Sequence, residues 1–323
     1  MAHSHTSRTA LPWFLLPISA VLLAAAAVTG AWLFGRKAPL QPHERPADRS
    51  GGSEATVCGT FETFSAPLQA ETESAPAYDY REILFDEDGI LIARIEGKRY
   101  KGVLAVVDDP TRLFVGSIPW YGEEGYGWRL DRMMEHYGAV LGLNGGGFDD
   151  TVGQGRGGSP QGIVMCEGRI WLGGEYGSYD VCAFTDEGRL ITGRRTGKEL
   201  LEAGVHSAVS FGPALIVDGA VQEFDYKTLY WEPRSLVGQR EDGSILLMAL
   251  EGRQAAALGA DFPTAAQAML DFGAINATNL DGGASSSLLY KGELINICNS
   301  VGGLRAIPTG ILVRSSAGEE AGE

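Results

Sequence analysis

The stretch DFPTAAQAMLDFGAINATNLDGGASSSLLYKG, from Asp261 to Gly292, changes its hydrophobic period twice. Pro263 stands near the start, and Ala265, Ala266, Met269 and Leu270 recur at four-residue spacing, which predicts a helix that Gly273 closes. AINATNL then reads as a buried strand, DGGASSS as a sharp polar turn, and LLY as a second strand. A helix, a buried strand and a polar turn in that order present backbone amides and a carboxylate at the end of a sheet. Within the turn, Asp281 is followed by two glycines and three hydroxyls. Glycine lets the backbone approach a ligand closely, hydroxyls donate to oxyanions, and a carboxylate can serve as acid, base, nucleophile or cation ligand. The same residues would also make an Asx-type turn between two strands, with no chemistry attached.

The pattern repeats upstream. YGWRLDRMMEHY (Tyr126–Tyr137) predicts a helix ended by Gly138, and it leads into AVLGLNGGGFDD (Ala139–Asp150). Around these segments lie short runs of β-branched and aromatic residues, punctuated by Asp88-Gly89, Glu96-Gly97, Glu167-Gly168, Glu187-Gly188, Asp218-Gly219, Asp242-Gly243 and Lys291-Gly292. Each pair predicts a hairpin turn, because glycine accepts positive φ and a polar residue before it satisfies the backbone locally. The expectation is an α+β fold: a sheet-rich single catalytic domain with a few helices over residues 78–316.

The N-terminal part reads differently. Residues 1–10 form a short tail, and residues 11–35 (LPWFLLPISAVLLAAAAVTGAWLFG) carry no charge over a length that crosses a bilayer as a helix. Trp13 and Trp32 suit its two interfaces. The segment is expected to be a retained transmembrane anchor, with a cleaved signal peptide as the alternative because Thr29, Gly30 and Ala31 are small. Residues 36–77, rich in Pro, Ser, Gly and Glu, read as a flexible linker that includes Cys58, and residues 317–323 as an acidic tail. Arg36, Lys37, Arg45 and Arg49 follow the span, so the charge rule alone would keep the domain inside; the functional reading favours a single-pass membrane protein with the domain extracytoplasmic.

Composition excludes several classes. The 323 residues carry 41 acidic against 26 basic side chains, a net charge of −15, with no local basic patch, so nucleic acid is not an expected partner. The 45 glycines are not periodic, which excludes collagen. Gly153, Gly155 and Gly158 formally match a dinucleotide-binding fingerprint, but Ser159-Pro160 follows where a helix must open. Only five histidines are present, and His136 and His206 are the two left as candidates in the body of the chain. Cys166 and Cys182 fall on strands expected to be adjacent, leaving a disulfide or two buried thiols open. The Asn276-Ala-Thr278 sequon lies in a strand expected to be buried.

Taken in series, the polar segments resemble the phosphodiester glycosidase domain family, which occurs in the lysosomal uncovering enzyme and in bacterial exported proteins. The resemblance runs from about Gly102 to Val313. It comprises an NGG-F element at Asn144, Gly145, Gly146, Phe148 and Asp149, then Gly158, Pro160 and Gly162. Next come Gly212, Pro213, Leu215, Asp218 and Gly219, then Pro233, Arg234 and Gly238. The series ends with Asn279–Ser285, Asn296, Arg305 and the last strand Ile307–Val313. Three positions depart from the family pattern: Ala284 stands at a third glycine, Glu251-Gly252-Arg253 replaces Asp-Gly-Arg, and Cys298 has no counterpart.

The resemblance implies hydrolysis of a sugar-1-phosphodiester between the anomeric carbon and the phosphate oxygen, in a glycan or polysaccharide. Such chemistry uses a pair of carboxyl groups, and a phosphate leaving group departs well when cations hold its oxygens. The candidate catalytic residues are Asp281 as the central carboxylate, with Glu251 or Asp149 as the second. Arg234 and Arg305 would hold the phosphate, Asn144 and Ser286 would fix sugar or phosphate oxygens, and Ser285 with the amides of Gly145, Gly146, Gly282 and Gly283 would line the site. No cofactor is required by this reading, although Asp149, Asp150 and Asp281 form a candidate Ca²⁺ site. The alternative is a non-catalytic surface module that binds anionic polysaccharide or a wall polymer.

Overall fold

The computed structural model describes residues 78–122, 125–150, 156–225, 230–255, 257–300 and 302–316. The expected membrane segment, the linker with Cys58, and the acidic tail lie outside the described residues. No described helix is long and apolar enough to cross a membrane.

The described chain opens with β1 (Glu82–Glu87), β2 (Ile90–Glu96) and β3 (Lys101–Val107), followed by β4 (Leu113–Ser117), α1 (Leu130–Tyr137) and β5 (Ala139–Asn144). A second group comprises β6 (Val164–Cys166), β7 (Arg169–Leu172), β8 (Ser178–Thr185), β9 (Leu190–Thr196), α2 (Gly197–Glu202) and β10 (Val205–Ser210). The rest comprises β11 (Ala214–Val217), β12 (Ala220–Val221), β13 (Arg234–Arg240), β14 (Ile245–Leu250), α3 (Phe262–Asp271), β15 (Ala274–Asn279), β16 (Leu288–Tyr290), β17 (Glu293–Leu294) and β18 (Thr309–Arg314). They form an eight-stranded sheet in the order β1-β2-β3-β14-β13-β15-β11-β12 and two five-stranded sheets, β7-β6-β10-β8-β9 and β17-β16-β5-β18-β4. The sheet-rich α+β expectation therefore holds.

All seven acidic- or Lys-Gly pairs join consecutive strands of a hairpin. At Asp88-Gly89, Glu167-Gly168, Asp218-Gly219 and Lys291-Gly292 both residues have positive φ. That is the two-residue turn whose twist matches the strands it joins.

The centre of the large sheet is buried on both faces, which explains why β14 (ILLMAL) is apolar throughout rather than alternating. Ile245, Leu247 and Ala249 face a core shared with strands of the other two sheets, including Val164, Phe184, Leu143 and Ile311. Leu246, Met248 and Leu250 face α3 through Ala265, Ala266 and Met269. Asp261 caps α3 by accepting the Thr264 N–H at 2.9 Å, and Gly273 leaves the helix with φ 84°.

Three expectations need correction. The helix expected from Tyr126 begins at Leu130, because Trp128 is extended and exchanges both backbone hydrogen bonds with Ile307. A helix α2 was not expected, although Thr196 and Glu199 supply a capping box. Cys166 and Cys182 do not lie on adjacent strands, since β10 runs between β6 and β8. Two strand spacings of about 4.8 Å each exceed the Cα separation a disulfide spans. Both thiols are free and buried.

Candidate active site

The site is organised by the turn that leaves β15. Leu280 donates its N–H to Ser235 O and Asp281 to Gly145 O, so the chain is pinned to β13 and to the end of β5 just before it bends. Gly282 runs so close to β13 that a Cβ there would lie 2.7 Å from Pro233 O, and Gly283 adopts φ +61° while donating to Pro233 O. Both positions therefore require glycine. Ala284, at the third glycine of the family pattern, does not have positive φ, so its methyl is accommodated without backbone strain.

This bend turns the Asp281 carboxylate back over its own chain, where it accepts from the Ser285 hydroxyl and the Gly282 N–H and faces Arg305. Burial raises its pKa to about 6; Ser285, Arg305 and Gly282 pull it down, and the charge of Asp150 pushes it further up. Arg305 pairs with Asp150 and contacts the hydroxyl of Ser285. Its Nη2 lies 2.8 Å from Asp150 Oδ1, its Nη1 3.4 Å from Ser285 Oγ, and its guanidinium 5.2 Å above the Phe148 ring.

The second carboxylate near Asp281 is thus Asp150, one residue beyond the expected Asp149. Phe148 pairs with Pro160 in a β-bridge, and Phe148 is buried while Asp149 is exposed, with Asp150 returning to the partly buried side. The strand alternation reverses every residue. Glu251 is buried and engaged by the backbone: its Oε1 accepts the Ile297 N–H at 3.2 Å, beside Asn296, which braces Ser286 O and the Leu288 N–H. Ser286 is buried with its hydroxyl unpartnered.

Asn144 occupies the scaffold behind the carboxylate. Its Nδ2 donates to Asp281 O at 2.7 Å, and its Oδ1 accepts from Ser235 Oγ at 2.6 Å and from the Ser287 N–H at 3.1 Å. It fixes the turn from within and is 1% exposed. The amides expected to line the site are likewise committed. Gly145 N–H donates to Thr309 O, Gly146 N–H to Thr309 Oγ1, and Gly283 N–H to Pro233 O.

Arg234 points to the other face of the large sheet. It donates from Nε to Ala260 O and from Nη2 to Tyr230 O, with its guanidinium 4.4 Å above Phe262 of α3. Its neighbour Ser235 holds the Asn144 side, as alternation along β13 demands. The cation that does reach the Gly282-Gly283 turn is Arg253. Its Nη2 would lie 3.2 Å from a Cβ on Gly283, it pairs with Glu232 at 3.6 Å, and its backbone is held at φ 55°. The signal for it was present in the Glu251-Gly252-Arg253 match.

No group of three acidic, histidine or cysteine side chains suited to a metal occurs among the described residues. The candidate Ca²⁺ arrangement of Asp149, Asp150 and Asp281 is not formed there, and Asp150 faces a guanidinium instead. His136 packs edge-on against Trp128 and Tyr137, and burial lowers the pKa of His206.

A carboxylate of raised pKa thus stands beside a hydroxyl and an arginine on a glycine turn. Residues 137–314 match the phosphodiester glycosidase family, and the chain belongs to that family. It is 26% identical over 170 residues to the SPbeta prophage-derived uncharacterized protein YomE of Bacillus subtilis, covering 49% of this chain and 25% of that one. The chain thus spans about a quarter of this curated relative's length. Among solved structures, it is similar to the catalytic domain of zebrafish N-acetylglucosamine-1-phosphodiester alpha-N-acetylglucosaminidase auto-inhibited by its pro-peptide. That likeness has 19% identity and a TM-score of 0.57 over 74% of this chain and 87% of that one. It is also similar to a hypothetical protein from Synechocystis, with 17% identity and a TM-score of 0.52 over 74% and 65%. At these identities the structural likeness shows a shared fold.

Proposed function

We propose that the chain hydrolyses a sugar-1-phosphodiester, with Asp281 as its central carboxylate. Water adds to the anomeric carbon, the bond from that carbon to the phosphate oxygen breaks, and a phosphate monoester leaves with the bonding electron pair. Asp281 acts in its ionised form, either taking the proton from the attacking water or itself attacking the anomeric carbon to give a glycosyl ester that water then hydrolyses, regenerating the carboxylate; a pKa raised towards 6 makes it a stronger base while leaving it mostly charged at neutral pH. Arg305 and Arg253 flank the turn from two sides and are suited to hold the phosphate oxygens. Asp150, paired with Arg305, orients that guanidinium and raises the basicity of Asp281. Family membership supports the reaction class, and the observation that carries the assignment is the buried Asp281 carboxylate beside the Ser285–Arg305 pair.

The substrate is proposed to be a glycan or polysaccharide outside the cytoplasm, reached by a domain tethered through residues 11–35. The test is a product assay on α-GlcNAc-1-phosphomethyl and related sugar phosphodiesters, with wild type and Asp281→Asn side by side. Release of free sugar and a phosphate monoester by wild type alone is expected. Binding without turnover across several sugars would instead identify a non-catalytic polysaccharide-binding module.

A further inference from the structure

Close to Arg305 the surface carries an aromatic groove that the reaction itself does not use. Ile118, Trp120, Tyr121, Tyr126 and Trp128 line a groove of about 710 Å³. Trp120 is 77% exposed and Tyr126 65% exposed, a cost in solvation that a domain with an ample core does not need to bear. Two of these rings carry guanidinium groups: Arg156 stands 5.0 Å over Tyr126 and Arg132 4.6 Å over Trp128. The groove is joined to the candidate site through the backbone. Trp128 pairs with Ile307, two residues from Arg305, and Gly127 donates to Arg156 O. Two residues of extended chain span about 7 Å.

We infer that this groove binds the sugar units next to the cleaved one in a phosphate-linked, anionic oligosaccharide. Sugar rings present C–H groups made electropositive by their oxygens, and an aromatic face is electronegative, so the two stack. A neutral glycan would need only the rings. The pairing of arginines with the rings, in a chain of net charge −15, suits an occupant whose repeating phosphates would otherwise be repelled. The inference rests on the sugar-phosphodiester reading and names the substrate as polymeric rather than a small diester.

The test is calorimetric titration of the full chain with an oligosaccharide of four GlcNAc-1-phosphate-linked repeats, with its neutral counterpart, and with α-GlcNAc-1-phosphomethyl. Wild type should prefer the phosphate-linked oligomer over the small diester, and Trp120→Ala should shrink that ratio of Kd values about tenfold, with Trp120→Tyr retaining most of it. Replacing Arg132 and Arg156 by Ala should weaken the phosphate-linked oligomer more than the neutral one. A ratio unchanged in Trp120→Ala, equal affinity for the neutral oligomer, or a concentration-dependent dimer abolished by Trp120→Ala would each overturn the inference. If wild type binds the oligomer through the groove but releases no sugar, the hydrolase reading fails while the binding site stands.

Discussion

At Asp281 the interests of function and stability oppose each other. Its folded pKa of about 6 lies above the usual carboxylate value of 3.8, so the folded state holds its proton more tightly than the unfolded chain does. Stability is therefore lost as pH rises from about 4 to about 6, and the deficit is full above that range. Asp281→Asn should abolish turnover yet raise the unfolding temperature relative to wild type at pH 7.5, with the advantage vanishing below about pH 4. Thermal unfolding of the two proteins across that range checks it, and an advantage independent of pH would contradict the assignment. The same ionisation predicts that kcat/KM rises with pH through about 6 and then levels. Because the Asp150 charge pushes that pKa up, Asp150→Asn should move the rise to lower pH, which a pH–rate profile reads directly. Arg305→Lys replaces a fork that spans Asp150 and Ser285 by a point charge and should raise KM about tenfold.

Among elements, the end of β5 carries the heaviest structural load. Asn144 satisfies three groups contributed by the Asp281 turn, β13 and the chain before β16, so Asn144→Ala strands buried partners and should cost about 3 kcal/mol, measured in urea unfolding. Gly145→Ala would bring a methyl within 2.5 Å of Thr309 Oγ1 and 2.7 Å of Thr309 O, and should cost about 2 kcal/mol by displacing β18. These interactions also show what a sequence can reveal. The Asp281 turn was legible because its glycines and hydroxyls are unusual together, and the hairpins were legible because their turn chemistry is local. Arg234 and Asp149 were misplaced for a different reason: on a strand, one residue of offset exchanges faces, and hydrophobic pattern fixes a strand better than it fixes its phase. Asn144 stands out in the sequence beside its glycines, but whether an asparagine there binds substrate or braces a turn depends on what lies 137 residues away.

For the whole molecule, sheet order was the least legible property, because it is decided by contacts between distant segments. The insertion of β10 between β6 and β8 is the example, and it has a measurable consequence. Cys166 and Cys182 sit apart in the core, with burial pushing the Cys166 thiol up to about 12. Neither should react with a thiol reagent until the domain unfolds, and oxidising conditions should not link them; mass mapping after labelling in native and denaturing buffer tests both. The last strand brings a further consequence. β18 lies between β4 and β5, so until residues 309–314 arrive β4 has no strand partner in its sheet and β5 has only β16, and those residues also supply the Thr309 contacts that hold Gly145 and Gly146. A ribosome or a translocation channel releases these residues after every other described strand. The domain must therefore wait, with the facing edges of β4 and β5 open, until residues 309–314 have been delivered, and the glycine turn that receives the Asp281 N–H is held in place only then.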